Sequence, residues 1–223
     1  MFTALFLAFG AVVANGETTP TPWPMSFSID FGSNITTTLT NPSDAVIVSG
    51  KMYYDWNIQQ QRVDHGAGAY ECVNFYNSDL PCTLYFTPDG LYRILTAPFP
   101  EGQEECCLDM DSIHASPPDW AVTTEPSYNG QVRDVYSGML TNKFTFDMNG
   151  TQDNPHMYYE LALDAGVDSS LVGNPQIFTF PTVEGEQDFH YDGTSLMEGP
   201  QDKKLFHLPR DCVKKMCSVS KRR

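Results

Sequence analysis

Positive charge is scarce in this chain. Thirteen Lys and Arg stand against 28 Asp and Glu, a formal net charge of −15 at pH 7. Nucleic acid and anionic membrane surfaces bind through Lys and Arg, so a chain this acidic is not expected to partner either. The basic end (Lys214, Lys215, Lys221, Arg222, Arg223) is short, and residues 218–223 read as a solvated tail. Catalytic signatures are missing too. There is no GxSxG, Gly-rich phosphate loop, HExxH or CxxC. The histidines (His65, His114, His156, His190, His207) are scattered, with no spacing that implies a metal or a general base. No catalytic residue is assigned and a non-enzymatic role is expected. Two carboxylates joined by the fold would still suffice for glycoside hydrolysis, which keeps a secreted hydrolase as an alternative.

Long apolar runs are confined to the start. Phe2 to Ala14 is apolar apart from Thr3 and uncharged. It is shorter than the roughly 20 residues a spanning helix needs, and residues 1–16 read as a signal peptide cleaved after Ala14 or Gly16. No Lys or Arg precedes the run, and the competing reading is a buried N-terminal strand or helix. No later run is long enough to span, so the mature chain is expected to have no transmembrane segment. A secreted protein is expected, with the lysosomal lumen as the alternative compartment.

What the chain does have is cysteine, aromatic residues and turn signals. Cys72, Cys82, Cys106, Cys107, Cys212 and Cys217 form an even set that reads as a disulfide framework behind a signal peptide, with 15 possible connectivities. Neighbouring Cα atoms lie 3.8 Å apart, against roughly 5.5 Å across a normal disulfide. Cys106 and Cys107 are therefore expected to take different partners and to tie separate segments together. Two glycosylation sequons occur, at Asn34 and Asn149; Asn149-Gly150 also reads as a hairpin tip.

Helical periodicity is scarce, and Asp164 to Val172 is the one stretch that reads as a short helix. After a Pro/Thr-rich extended lead-in over 17–25, a single β domain is expected over 26–217. Phe27, Ile29 and Phe31 alternate with polar residues; Asn34 to Thr40 is strand-compatible; Ala45 to Ser49 and Lys51 to Trp56 flank Gly50. Ala69 to Tyr76, Cys82 to Thr87, Leu91 to Leu95, Lys143 to Met148, His156 to Leu163, Gln176 to Phe180, Gln187 to Tyr191 and Lys203 to Leu208 read as further strands. Pro88-Asp89-Gly90 is a turn, and Asp111 to Pro126 is irregular. Ala69–Tyr76 and His156–Leu163 are apolar on both faces and need cover on both. An ordinary filled core provides that; so does a curved sheet facing its own core on one side and a ligand cavity on the other. Asp109 and Asp111 would share a strand face, a weak pointer to Ca²⁺ against the plainer reading of solvated carboxylates.

The order of motifs adds to this. It runs Trp23-Pro24, Gly50-Lys51-Met52-Tyr53-Tyr54-Asp55, Gln61-Arg62-Val63-Asp64, Pro88-Asp89-Gly90-Leu91-Tyr92, Cys106-Cys107, Pro118-Asp119-Trp120, Tyr128-Asn129-Gly130, and Leu205-Phe206-His207-Leu208-Pro209-Arg210-Asp211-Cys212. Over roughly residues 23 to 217 the chain resembles the ependymin-related family of secreted glycoproteins. The resemblance implies two stacked antiparallel sheets forming a curved bag with a hydrophobic pocket, at most one or two short helices, and a fold similar to bacterial lipoprotein carriers. It implies binding of a lipid or other apolar small molecule, with Ca²⁺ and a homodimer as further associations. It also implies Cys212 pairing with Cys106 or Cys107, Cys217 with Cys72 or Cys82, and the remaining two with each other. The chain departs from the family in lacking a cysteine beside the mature N-terminus and in carrying the 106–107 doublet, so one bridge must differ. Matching the family's sheets makes Phe75, Tyr85, Leu91, Phe144, Phe146, Tyr159, Leu161, Phe178 and Phe180 the candidate pocket lining. A matrix or adhesion module with Ca-dependent assembly is the other non-enzymatic alternative.

Overall fold

The computed structural model describes residues 19–36, 47–76, 79–95, 105–146, 156–164, 166–182, 185–210 and 212–217. The signal peptide, the Asn149 sequon and the basic tail lie outside them. The described chain is mainly β. Its strands are β1 (Ser26–Thr36), β2 (Val48–Asp55), β3 (Gln60–His65), β4 (Cys82–Thr87), β5 (Gly90–Leu95), β6 (Cys106–Met110), β7 (Ser127–Arg133), β8 (Leu140–Phe146), β9 (His156–Leu161), β10 (Pro175–Thr182), β11 (Gly185–Tyr191), β12 (Met197–Glu198) and β13 (Val213–Met216). Two short helices, α1 (Tyr70–Tyr76) and α2 (Trp120–Thr123), join them.

The strands hydrogen-bond into one sheet in the order β13-β6-β5-β4-β3-β2-β1-β11-β10-β9-β8-β7, with β12 beside β1. All neighbours are antiparallel except β13, which runs parallel to β6. The two expected layers are thus the two halves of one continuous sheet that curls. Ring steps of 5.8, 5.5 and 5.4 Å link Tyr54 of β2 through Trp23 and Trp120 to Phe146 of β8. Five interstrand spacings separate β2 from β8, about 24 Å on a flat sheet. Three such steps cannot span that distance, so the inner side chains have converged.

Alternation of side chains along each strand gives the sheet two faces. The concave one carries the main core: Phe27, Ile29, Phe31, Met52, Tyr54, Val63, Leu84, Leu91, Phe144, Phe146 and Tyr158, with Trp23, Trp120 and Ala121 laid over it. The lead-in segment is therefore more than an extended approach. Trp23 N donates to Pro118 O at 2.8 Å. Thr21 N donates to buried Glu160 at 2.7 Å. On the convex face at the β6 end, Tyr85, Tyr92, Ile94 and Cys106 are covered by Leu205, Phe206, Leu208 and Cys212 of the C-terminal segment. Arg62 donates to Leu205 O on the same side. Strands β4 and β5 are apolar on both faces because both faces are covered.

Several expectations are corrected. Ala69–Tyr76 is helical over Tyr70–Tyr76 rather than a strand. A short run that is apolar throughout fits either period. Here β2 and β4 already flank β3, and β3 and β5 flank β4, leaving no edge for another strand. Ala69 and Cys72, three residues apart, share the face buried against Cys82 and Leu95. Strand β2 runs straight through Gly50, where the ring of Phe31 takes the space of a Cβ, which would lie 2.2 Å from its Cζ. The 164–172 region holds a single 3-10 turn, Ser169–Leu171. Pro88-Asp89 makes the expected two-residue turn, and Gly90 (φ 127°) is obligatory there: a Cβ would meet Met110 O at 2.5 Å.

All six cysteines are paired, as Cys72–Cys82, Cys106–Cys212 and Cys107–Cys217. Cys106 and Cys107 do take different partners, and Cys212 pairs within the doublet as the resemblance implied. Cys217 does not reach Cys72 or Cys82. Successive residues of β6 face opposite sides, so the doublet grips the returning C-terminal segment from both faces, with β13 alongside.

Candidate ligand-binding site

Leu91, Phe144, Phe146 and Phe178 meet in or against the concave core. Phe180 joins them through Phe178, ring centroids 5.9 Å apart. Tyr85 belongs to the convex cluster under the C-terminal segment. Its hydroxyl donates to Gln60 Oε1 at 2.8 Å, and burial pushes its pKa up to about 12. Tyr159 alternates to the convex face, where Lys143 lies 5.5 Å over its ring; Leu161 shares its parity and is buried at the end of β9. Those three are corrections: one residue of register along a strand exchanges faces. Phe75 lies in α1, and its side chain is outside what is described.

Trp120 fills one part of the concave face. Its ring touches Trp23, Phe146, Tyr158 and Phe178 at 5.4–5.6 Å. Trp23 Nε1 donates to the buried Tyr158 hydroxyl at 3.1 Å. Beyond this plug runs a strip of half-buried aromatics. Phe178 contacts Phe180, Phe180 stacks on Phe189 at 5.6 Å, and Phe189 meets Phe31 at 5.3 Å. His156 flanks the strip against Phe178 and Phe180, and its partial burial holds its pKa below the ordinary value.

The strip ends in a buried polar group absent from the sequence-based candidates. His65, at the end of β3, lies 5.5 Å from the Phe31 ring and 6.1 Å from that of Phe189. Glu71, on α1, accepts a hydrogen bond on Oε1 from Gln187 Nε2 of β11 at 2.5 Å. Its Oε2 lies 3.5 Å from His65 Nδ1. Relative exposures are 4% for His65, 7% for Glu71 and 1% for Gln187. Both ring nitrogens of His65, Glu71 Oε2 and Gln187 Oε1 find no hydrogen-bond partner among the described residues. Burial lowers the His65 pKa, while Glu71 and Asp64 act against that shift, and the net direction favours the neutral imidazole. Unpartnered buried polar atoms are uncommon in folded proteins and mark strain, a bound water or a ligand. Helix α1 makes the cluster: the Cys72–Cys82 bridge anchors it to β4, and Glu71 beside it reaches across to β11. Reading 69–76 as a strand hid this.

Other expected sites fare differently. Asn34 is buried at 5% exposure on the convex face, with Oδ1 2.8 Å from His190 Nε2, surroundings that argue against a glycan there. Asp109 forms a buried ion pair with Arg93 while Asp111 is exposed beyond β6, so the two do not act as a pair. Among the described residues no three His, Cys, Asp or Glu side chains converge to hold a metal. Nor is any described helix long and apolar enough to cross a membrane.

No protein-family model matches this chain, and no curated protein does. Among solved structures it is similar to an uncharacterized conserved protein from Thermus thermophilus, with a TM-score of 0.48 and 13% identity, covering 86% of this chain and 91% of that one. A likeness at that level carries no functional argument.

Proposed function

We propose that this protein binds an apolar small molecule, such as a lipid or fatty-chain compound, on the concave face of its sheet, without catalysing a reaction. The observation that carries this is the strip Phe178–Phe180–Phe189. Its three rings sit inside the curl yet remain half-buried, beyond the part that Trp23 and Trp120 fill. Apolar surface left open in a concavity is what such ligands occupy, at roughly 25 cal/mol per Å² removed from water. The resemblance to the ependymin-related family implies the same function. Three disulfides fit an oxidising compartment, and we place the protein outside the cell, with the lysosomal lumen second. Glycosylation would then fall on Asn149.

The test is titration of delipidated protein with a neutral naphthylamine dye, alongside native mass spectrometry of gently purified material. Saturable uptake is expected, and Phe180→Asp should weaken it by about tenfold or more while the fold persists. A folded protein that takes up neither dye nor lipid refutes the proposal. One observation favours a second reading: His65 and Glu71 form the acid–histidine pair a hydrolase would need. Turnover on a glycoside or ester panel, abolished by His65→Asn, would establish it.

A further inference from the structure

The buried polar group at the end of the aromatic strip selects among apolar ligands. We propose that the guest carries a hydrogen-bond-donating head, a hydroxyl or an amine rather than a carboxylate, seated on His65, Glu71 and Gln187 with its chain along Phe31, Phe189 and Phe180. This rests on the binding reading above and names its ligand class.

The argument is an inventory of donors and acceptors. Gln187 spends an Nε2 hydrogen on Glu71 Oε1, which turns its own Oε1 away as a pure acceptor. Glu71 Oε2 is a second acceptor, 3.5 Å from His65 Nδ1. A neutral imidazole adds one acceptor and one donor. The open atoms are therefore three acceptors and one donor. A hydroxyl, which donates once and accepts, meets the donor and one of the three acceptors, and an amine, with more hydrogens, meets more of the acceptors. A carboxylate only accepts; it would face the carboxylate of Glu71 and the oxygen of Gln187 in a site shut off from water, where an unmatched polar contact is most costly. The rings of Phe31 and Phe189, each in contact with His65, leave the strip as the way a chain attached to that head would run. A guest held only by apolar burial would need no such group. His65, Glu71 and Gln187, each more than nine-tenths buried, carry open valences that a polar head can fill.

The experiment displaces the neutral dye from wild-type protein with dodecanol, dodecylamine, methyl dodecanoate and dodecanoate. It is run in about 1 M salt, where a Debye length of about 3 Å screens the net charge of the protein. Dodecanol and dodecylamine should bind about tenfold or more tighter than dodecanoate, and dodecanol tighter than the donor-free ester. Glu71→Gln, which offers an amide hydrogen to the head, should narrow the alcohol–carboxylate gap to about threefold or less. Dodecanoate binding as tightly as dodecanol, or all four chains binding alike, overturns the inference and leaves the binding reading standing. If none of the chains displaces bound dye, the inference falls; if the folded protein takes up neither the dye nor any chain, both fall. The wild-type series decides the matter even if Glu71→Gln does not fold.

Discussion

The paired bridges at Cys106–Cys212 and Cys107–Cys217 make a quantitative prediction. Each closes a long loop, with sequence separations of 106 and 110. Taken alone, either bridge restricts the unfolded chain by about 4.8 kcal/mol at 25 °C in the loop-entropy relation. They are not independent, because one is a single residue from the other at the first end and five residues at the second. With one bridge in place, the second closes only a ring of about six residues, worth about 2 kcal/mol. Removing either bridge as a Cys→Ala pair should therefore cost about 2 kcal/mol of chain restriction, and removing both about 7 kcal/mol, some 2.5 kcal/mol more than the sum of the two. The apolar packing lost with the sulfurs is the same in each background, so it drops out of the double-mutant cycle. The assay is equilibrium denaturation, without reductant, of wild type, Cys106→Ala/Cys212→Ala, Cys107→Ala/Cys217→Ala and the quadruple variant. Additivity within about 0.5 kcal/mol, the usual tolerance for independent sites, would refute the reasoning. It would mean that the two bridges act on unrelated parts of the chain.

Two further predictions concern packing at Gly50 and the buried histidines. Gly50→Ala places a methyl 2.2 Å from Phe31 Cζ and 2.7 Å from the Asp64 carbonyl oxygen, so it should destabilise by about 1–3 kcal/mol, the usual range for overpacking; a change in denaturation midpoint equivalent to under 0.5 kcal/mol would contradict the packing described. His65, His156 and His190 are each held below the ordinary histidine pKa by burial, so the unfolded chain binds protons first as pH falls through about 6.5. Stability should be fully present above that pH, fall steadily as acid is added until the folded-state pKa values are reached, and fall less steeply in His65→Asn. A melting temperature that is flat or rising between pH 7 and 5 would count against it.

Much of the architecture was readable along the chain. Phe27, Ile29 and Phe31 alternate because only every second residue of β1 meets the core. The 87–90 turn is local chemistry, a threonine hydroxyl and a glycine with positive φ. Adjacent cysteines cannot easily bond each other, so their separate partners followed from covalent geometry. Which face each aromatic takes was half legible: Phe144, Phe146, Phe178 and Phe180 lie on the concave face, while Tyr85, Tyr159 and Leu161 alternate out of it. A strand apolar on both sides carries no mark of which side is inner.

What the order of residues could not decide is where distant segments meet. Cys107 and Cys217 are 110 residues apart, Glu71 and Gln187 are 116 apart, and Trp23 and Tyr158 are 135 apart. Each pair is joined by the order of strands in the sheet and by its curl, neither of which leaves a local pattern. Residues 69–76 show the same principle. Their composition fits a strand, but the edges beside them are already paired, so they fold as a helix over the sheet and bring Glu71 to His65. Local alternation and turn chemistry act between neighbours and can be read from neighbours. A binding site is made of contacts between strangers, and packing alone chooses them.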